Sequence, residues 1–260
     1  MPIITLLTDF GTGSPYVAAM KGVILTINPA ATIVDLTHAI PPQDVREAAL
    51  VLEEVSGRFP PGTIHVVVVD PGVGTERAIV YARIGDQAFV CPDNGVLSRL
   101  VLGARPASLF RAENPQHWLH PVSATFHGRD IMAPVAARLS LGLEPSRVGP
   151  PHAGLVLLDW PSPTALPGRI EGHVLRIDSF GNLITDVPAA MLVGAAAERI
   201  QVACKGRDAT AHVRCYAEGQ PGMLVSLIGS SDRLELSIVG GSAAQTLHAA
   251  LGDAVSVRWG

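Results

Sequence analysis

Through the first half of the chain, short unbroken apolar runs alternate with stretches whose apolar residues recur every three or four positions. Ile3 to Thr8 reads as a strand. The DFGTGSP turn after it offers Ser14 as a cap and Pro15 as a first helical position for a helix from Tyr16 to Ile27. Thr32 to Leu36 reads as a second strand, and Val45 to Val55 carries its apolar residues at helical spacing. Thr63 to Val69 (TIHVVVV) is a nearly continuous β-branched run, which fits a strand covered on both faces in a parallel sheet. Ile79 to Ala82 and Ala88 to Val90 read as further strands, Val96 to Leu102 and Ile131 to Leu141 as helices. The pattern predicts an α/β domain over 1–152, a mostly parallel sheet flanked by helices.

Proline and glycine then break the rhythm, and 153–168 reads as a linker. Beyond it come short strand signals separated by turns: His173 to Ile177, Leu183 to Val187, Arg199 to Ala203, Ala211 to Tyr216, Met223 to Leu227 and Leu234 to Ile238. They predict a small all-β domain over 169–260, a barrel or a sandwich.

Composition narrows the function classes. At 260 residues, 48% hydrophobic and 16% charged, the chain is long enough for a substantial core and has no disordered character. The longest apolar runs, such as Val66 to Val69, are far too short to cross a bilayer, so no membrane partner is expected. The N-terminal MPIITLLTDF has no basic leader, and a cytoplasmic location is the expectation. A net charge of −4 without a dense Lys/Arg stripe argues against nucleic acid. The three cysteines, Cys91, Cys204 and Cys215, form no CxxC and read as reduced core residues.

Several polar segments fall at strand ends, where an α/β domain builds its sites. Asp9 in Thr8-Asp9-Phe10-Gly11 can accept from both hydroxyls of a ribose, or only cap the turn. Gly11 and Gly13 make an incomplete GxGxxG, with Tyr16 at the third position. Asp70 closes the most buried strand, and Arg77 follows across a glycine turn. The two can hold a carboxylate–guanidinium pair beside a ligand, or a structural ion pair that closes the turn. No Lys-Ser/Thr follows, so the segment is not a phosphate loop. In Cys91-Pro92-Asp93-Asn94-Gly95, Asp93 or Asn94 suits a helix N-cap, or the backbone there lines the pocket. His127 in Thr125-Phe126-His127-Gly128-Arg129-Asp130 opens a helix and can orient or deprotonate water, unless it is structural. His117 and His120 form HxxH without a matching third ligand, so no zinc site is expected. In Asp178-Ser179-Phe180-Gly181-Asn182, Asp178 suits an ammonium group, while Phe180 and Asn182 suit a flat base. The alternative is a plain hairpin turn. Gly229-Ser230-Ser231 offers hydroxyls and amides to a carboxylate.

These segments, in this order, resemble the S-adenosyl-L-methionine (SAM) hydroxide adenosyltransferases, relatives of the fluorinases and chlorinases. The resemblance runs through LTDFGTGSPYVAAMKG, IVDLTHAIPPQDVREAA, VVVVDPGVGTER, CPDNGVLS, TFHGRD, IDSFGNLITDV and GSSDRLELSIVGGSAA, nearly the whole chain. It implies an N-terminal α/β domain joined to a C-terminal β-barrel, in a homotrimer with sites at the subunit interfaces. It also implies hydrolysis of SAM to adenosine and methionine, with no cofactor because SAM is itself the substrate. Asp9 would hold the ribose diol, Asp178 the methionine ammonium and Ser230 its carboxylate. Phe180, Asn182 and Tyr216 would contact adenine. Asp70, Arg77 and His127 would position and activate water. Two rival readings are a SAM or adenosine sensor without turnover and a SAM-dependent halogenase. Fluorinases carry tyrosine and serine at the positions of His127 and Gly128 and tyrosine at that of Asp70, and a carboxylate at Asp70 would repel a halide. This chain departs from the family at Gln43, where a large aromatic is usual, at Gly229, where asparagine is usual, and at Asp232-Arg233, which replaces a Gly-Tyr pair.

Overall fold

The computed structural model describes residues 3–102, 105–194 and 199–259. The chain divides into two compact units, Met1–Leu158 and Asp159–Gly260.

The first unit is built on β1 (Ile3–Thr8), α1 (Pro15–Ile27), β2 (Thr32–Thr37), α2 (Val45–Val55), β3 (Ile64–Val68), β4 (Ile79–Ile84), β5 (Gln87–Pro92), β6 (Ser108–Arg111) and α3 (Ala133–Ser140). Its six-stranded sheet has the order β2-β1-β3-β5-β4-β6. The pairings of β1 with β2, β1 with β3 and β3 with β5 are parallel, whereas β4 runs antiparallel to β5 and β6. The sheet is therefore mixed rather than mostly parallel. The cause is local: Ile84 pairs with Gln87, leaving only Gly85 and Asp86 as the turn, and Gly85 has φ +56°. A two-residue Gly-Asp connection can only make a hairpin.

The β1 and β3 runs are buried on both faces. Leu6, Val66 and Val68 pack with Met20 and Ile24 of α1 and with Val135 and Ala136 of α3. Leu7, Val67 and Val69 pack on the other side with Ala48, Val51 and Leu52 of α2. Ser14 caps α1 by accepting from Tyr16 N at 3.3 Å, with Pro15 in the first turn, and Asp44 caps α2 by accepting from Glu47 N at 2.9 Å.

The helix expected over Val96 to Leu102 does not form; the segment is a series of turns. Gly95 takes φ +96°, and a Cβ there would stand 2.5 Å from Leu158 Cγ. Ser98 Oγ donates to Gly95 O at 2.5 Å and accepts from Leu158 N at 2.8 Å. This hydroxyl competes for the carbonyl that a helix would use. α3 is entered through a π-helical turn, Gly128–Met132, so helical backbone begins before Ile131.

The second unit contains β7 (Thr164–Leu166), β8 (Arg169–Ile177), β9 (Leu183–Pro188), β10 (Gln201–Cys204), β11 (Arg207–Asp208), β12 (Ala211–His212), β13 (Leu224–Ile228), β14 (Arg233–Ile238), α4 (Ala243–Leu247) and β15 (Ala254–Arg258). The stretch read as a linker contributes β7, which pairs with β8. The strands form a curled half-barrel whose path runs β11-β10-β15-β8-β9-β14-β13-β12. Among the described residues no pairing joins β11 to β12, so the sheet does not close into the barrel expected. Ile170, Val174, Leu183, Val202, Leu234, Leu236, Val255 and Val257 fill its inner face.

Candidate active site

In the first unit, Thr8 and Val68 are register partners at the carboxyl ends of the adjacent parallel strands β1 and β3. Asp9 follows Thr8 directly and Asp70 stands two residues past Val68, at the end of the sheet where α/β folds bind ligands. Past Asp70 the chain turns tightly, with Val73 N donating to Asp70 O at 3.2 Å and Thr75 N to Gly72 O at 3.1 Å. This folding returns Arg77 to the carboxylate it left seven positions earlier. Arg77 Nε donates to both Asp70 oxygens at 2.9 and 3.0 Å, and Nη2 donates to Oδ2 at 2.5 Å. The side chains are 4% and 12% exposed, so the pair is largely withdrawn from water. Each charge needs the other there.

Arg77 Nη2 also lies 2.9 Å from His127 Nδ1. A guanidinium has no acceptor, so Nδ1 must be the acceptor in that bond. Neutral His127 then carries its proton on Nε2 and offers a donor to anything beyond. Burial lowers the His127 pKa, the Arg77 charge lowers it further, and Asp70 and Asp130 oppose both. Asp70, Arg77 and His127 thus form one hydrogen-bonded line.

Two glycines bring its halves together. A Cβ on Gly74, which has φ +80°, would meet Ala124 O at 2.5 Å, so the Asp70–Arg77 turn presses against the loop leading to His127. A Cβ on Gly128 would meet Val68 Cγ1 at 2.9 Å. The loop is fixed from below by Asp130, fully buried, which accepts from Ser123 N at 2.8 Å and from Arg129 Nε at 2.6 Å. Phe10, Tyr16 and Phe126 form an edge-to-face aromatic trio with centroids 5.1 to 5.7 Å apart. Asp130 and this trio were not singled out in the sequence. Phe10 and Phe126 lie beside Asp9 and His127, which were, but nothing in the one-dimensional pattern pairs Phe10 with Phe126.

Asp9 Oδ2 accepts from Gln43 N at 2.8 Å, and Gln43 takes φ +64°. No hydrogen bond joins Asp9 to the Asp70, Arg77 and His127 line among the described residues. Asp93 accepts from His152 Nε2 and Val156 N, both at 2.8 Å, and so holds the 152–156 segment rather than capping a helix. His120 Nε2 bonds Pro115 O at 2.9 Å, and among the described residues no three His, Cys, Asp or Glu converge on a metal position. Cys91 and Cys204 are buried as expected, but Cys215 is exposed. Among the described residues no helix is long and apolar enough to cross a membrane.

In the second unit, Asp178 organises its own turn. It accepts from Phe180 N, Asn182 N and Asn182 Nδ2, each at 2.9 Å. Gly181, at φ +84°, docks this turn on α4, where a Cβ would overlap Ser242 Oγ. Phe180 is left 76% exposed, while Asn182 is buried with its amide nitrogen committed to Asp178. Tyr216 Oη donates to Glu235 Oε1 at 2.6 Å. Burial, then the Glu235 bond and the charges of Glu235 and Asp178, push its pKa up to about 12. Ser230 is exposed in the turn closed by Gly229 N donating to Arg233 O at 2.9 Å.

Residues 4–149 match the SAM hydroxide adenosyltransferase N-terminal domain, and residues 172–256 match the C-terminal domain of the same family. The chain belongs to the SAM hydroxide adenosyltransferase family. It is 39% identical over 257 residues to an (R)-S-adenosyl-L-methionine hydrolase of Thermus thermophilus, covering 94% of each protein. It also resembles an uncharacterized conserved protein of Thermotoga maritima known from a crystal structure. That match has a TM-score of 0.92 at 36% identity and covers 98% of this chain and 100% of the other. A fluorinase of an Actinoplanes species stands further off, 28% identical over 213 residues and 72% of each chain. Gln43 contributes to this end of the sheet through its main-chain N–H, whatever side chain stands there.

Proposed function

We propose that this chain hydrolyses SAM, with water attacking the ribose C5′ to give adenosine and methionine. The observation that carries the reading is the Asp70, Arg77 and His127 line at the sheet end of a chain in this family. In the reaction the C5′–O bond forms as the C5′–S bond breaks, and sulfur keeps the electron pair as a neutral thioether. The leaving group needs neither a general acid nor a metal. What remains is to hold water in line with the C–S bond, for which orientation is worth on the order of 7–11 kcal/mol at best.

Asp70, aimed by Arg77, accepts the proton that water loses as it attacks. His127 donates from Nε2 to the same water, leaving its other lone pair for carbon. With Nδ1 accepting from Arg77, His127 acts as a positioning donor and Asp70 as the base; the bond between Arg77 and His127 supports this division. Asp9 holds the ribose diol, Asp178 the methionine ammonium and Ser230 its carboxylate, while Phe180, Asn182 and Tyr216 receive adenine. The family resemblance supports a homotrimer, and the sequence a cytoplasmic enzyme; light scattering of the purified chain tests the former.

The decisive experiment incubates the pure protein with SAM in ¹⁸O-water and follows products by chromatography and mass spectrometry. Adenosine carrying one heavy oxygen, with no dependence on halide or chelator, is expected. Asp70→Ala and His127→Ala should lower kcat far more than SAM binding. Bound but unconverted SAM would turn the reading to a sensor, and a halogenated nucleoside to a halogenase.

A further inference from the structure

Glu235 stands in the middle of β14, 6% exposed, opposite Leu227 on β13 and Ile184 on β9. A carboxylate in such apolar company is costly unless its oxygens are satisfied. Oε1 accepts two hydroxyls, from Tyr216 at 2.6 Å and from Ser237 at 2.7 Å. Ser237 is two residues along the same strand and shares its face. Tyr216 comes from elsewhere, opening the short 3₁₀ turn Tyr216–Glu218, with 44% of its surface exposed. The ring, so open to solvent, is anchored at its tip by this hydroxyl bond. The other oxygen, Oε2, lies 2.7 Å from where a Cβ on Gly229 would stand. One carboxylate thus underlies both Tyr216 and the turn that carries Ser230.

We infer that Glu235 is a positioning residue for the purine: it takes the Tyr216 hydroxyl so that the ring face meets the base, and its other oxygen packs against Gly229. The inference rests on the reading above that Tyr216 receives adenine. It also gives Gly229 a physical role. A Cβ at 229 is accommodated only if Oε2, the free end of the Glu235 side chain, moves aside, and that movement pulls on the acceptor that holds Tyr216.

The test uses the full chain with Tyr216→Phe, Glu235→Gln, Glu235→Leu, Gly229→Ala and the Tyr216→Phe/Glu235→Leu double variant. Adenosine Kd by calorimetry and SAM kinetics are read for each, with melting as a fold control. Losing the tether frees the ring, and Tyr216→Phe and Glu235→Leu should each weaken adenosine binding and raise KM about 3- to 10-fold, with kcat little changed. Glu235→Gln keeps a carbonyl acceptor and should stay within about 2-fold of wild type. Gly229→Ala should weaken adenosine in the same direction as Glu235→Leu. The double variant should be no worse than the weaker single, because both remove one bond. Wild-type adenosine affinity in Tyr216→Phe, or additive losses in the double variant, overturns the inference. If Glu235→Leu fails to fold, Tyr216→Phe and Gly229→Ala still decide it. A wild-type protein that binds adenosine but does not convert SAM refutes the proposed reaction alone, since the adenosine isotherms still read the tether.

Discussion

Replacing Gly128 with alanine adds a single methyl group at the closest approach between the His127 loop and β3. The new Cβ would stand 2.9 Å from Val68 Cγ1, 3.1 Å from Val68 Cγ2 and 3.4 Å from Met20 Sδ. Two effects oppose each other. Alanine in place of a helical glycine gains about 0.5–1 kcal/mol in backbone terms. Overpacking a rigid core costs about 1–3 kcal/mol. Val68 is held by pairing to β1, and Met20 is fully buried on α1, so neither can yield freely. Overpacking wins, and a net loss of roughly 1–2 kcal/mol is expected by urea unfolding. The strain lifts His127 from Arg77, and a misplacement of about 1 Å lowers kcat on the order of 10²-fold. Val68→Ala removes both crowding carbons at the cost of a cavity, about 2 kcal/mol. In Gly128→Ala/Val68→Ala the two losses should fall short of their sum by about 1 kcal/mol or more, and part of the activity should return. Gly128→Ala with wild-type stability and kcat, or a double variant additive within about 0.5 kcal/mol, would refute the reasoning.

Three further outcomes follow from the described geometry. Arg77→Lys replaces a fork that reaches both Asp70 and His127 with one nitrogen, so kcat should fall about 10²-fold with KM changed far less; steady-state kinetics check this. Protonated His127 cannot accept from Arg77, and its pKa lies below the ordinary 6.5. The kcat profile should therefore be flat above that pH and fall on the acid side with a midpoint below it; a midpoint at or above 6.5 contradicts the assigned bond. His65 is fully buried, stacked on Phe89 and bonded to Thr5, and burial pushes its pKa down to about 4 from 6.5. Between those values the unfolded chain binds the proton and the native one does not. Stability is therefore complete above 6.5 and lost as pH falls toward 4, by on the order of 2–3 kcal/mol at pH 4.5. Urea midpoints should show this slope, and His65→Gln should flatten it.

Much of the first unit could be read from periodicity, because β1 and β3 are buried on both faces and admit only apolar residues. Ser14-Pro15 and Asp44 mark helix starts through local chemistry, which sequence carries directly. The failures have tertiary causes. The 96–102 segment has a helical pattern, yet Leu158, distant in sequence, occupies the place of a Gly95 side chain and claims Ser98. The Gly85-Asp86 hairpin was available in the sequence and would have exposed the antiparallel edge. β6, β15 and α4 are short and half-polar, and their apolar faces are defined by what they pack on. In the site, Asp70 and Arg77 lie within one turn and their pairing was legible as an alternative. The bond to His127 spans 50 positions and depends on Gly74 and Gly128 fitting against atoms that no spacing rule names.

The hydrogen bond from Gln43 N to Asp9 has a consequence for how this pocket can vary. The carboxylate is steadied by an amide that every residue except proline possesses, in a backbone turn at φ +64° that asparagine, glycine and glutamine can all enter. The side chain at 43 is exposed and is not needed for the anchor. On the proposed role of Asp9, the residue at 43 is therefore replaceable independently of the group that would grip the sugar. Exchanging the side chain at 43 should alter what stands beside the pocket while the main-chain bond keeps Asp9 aimed.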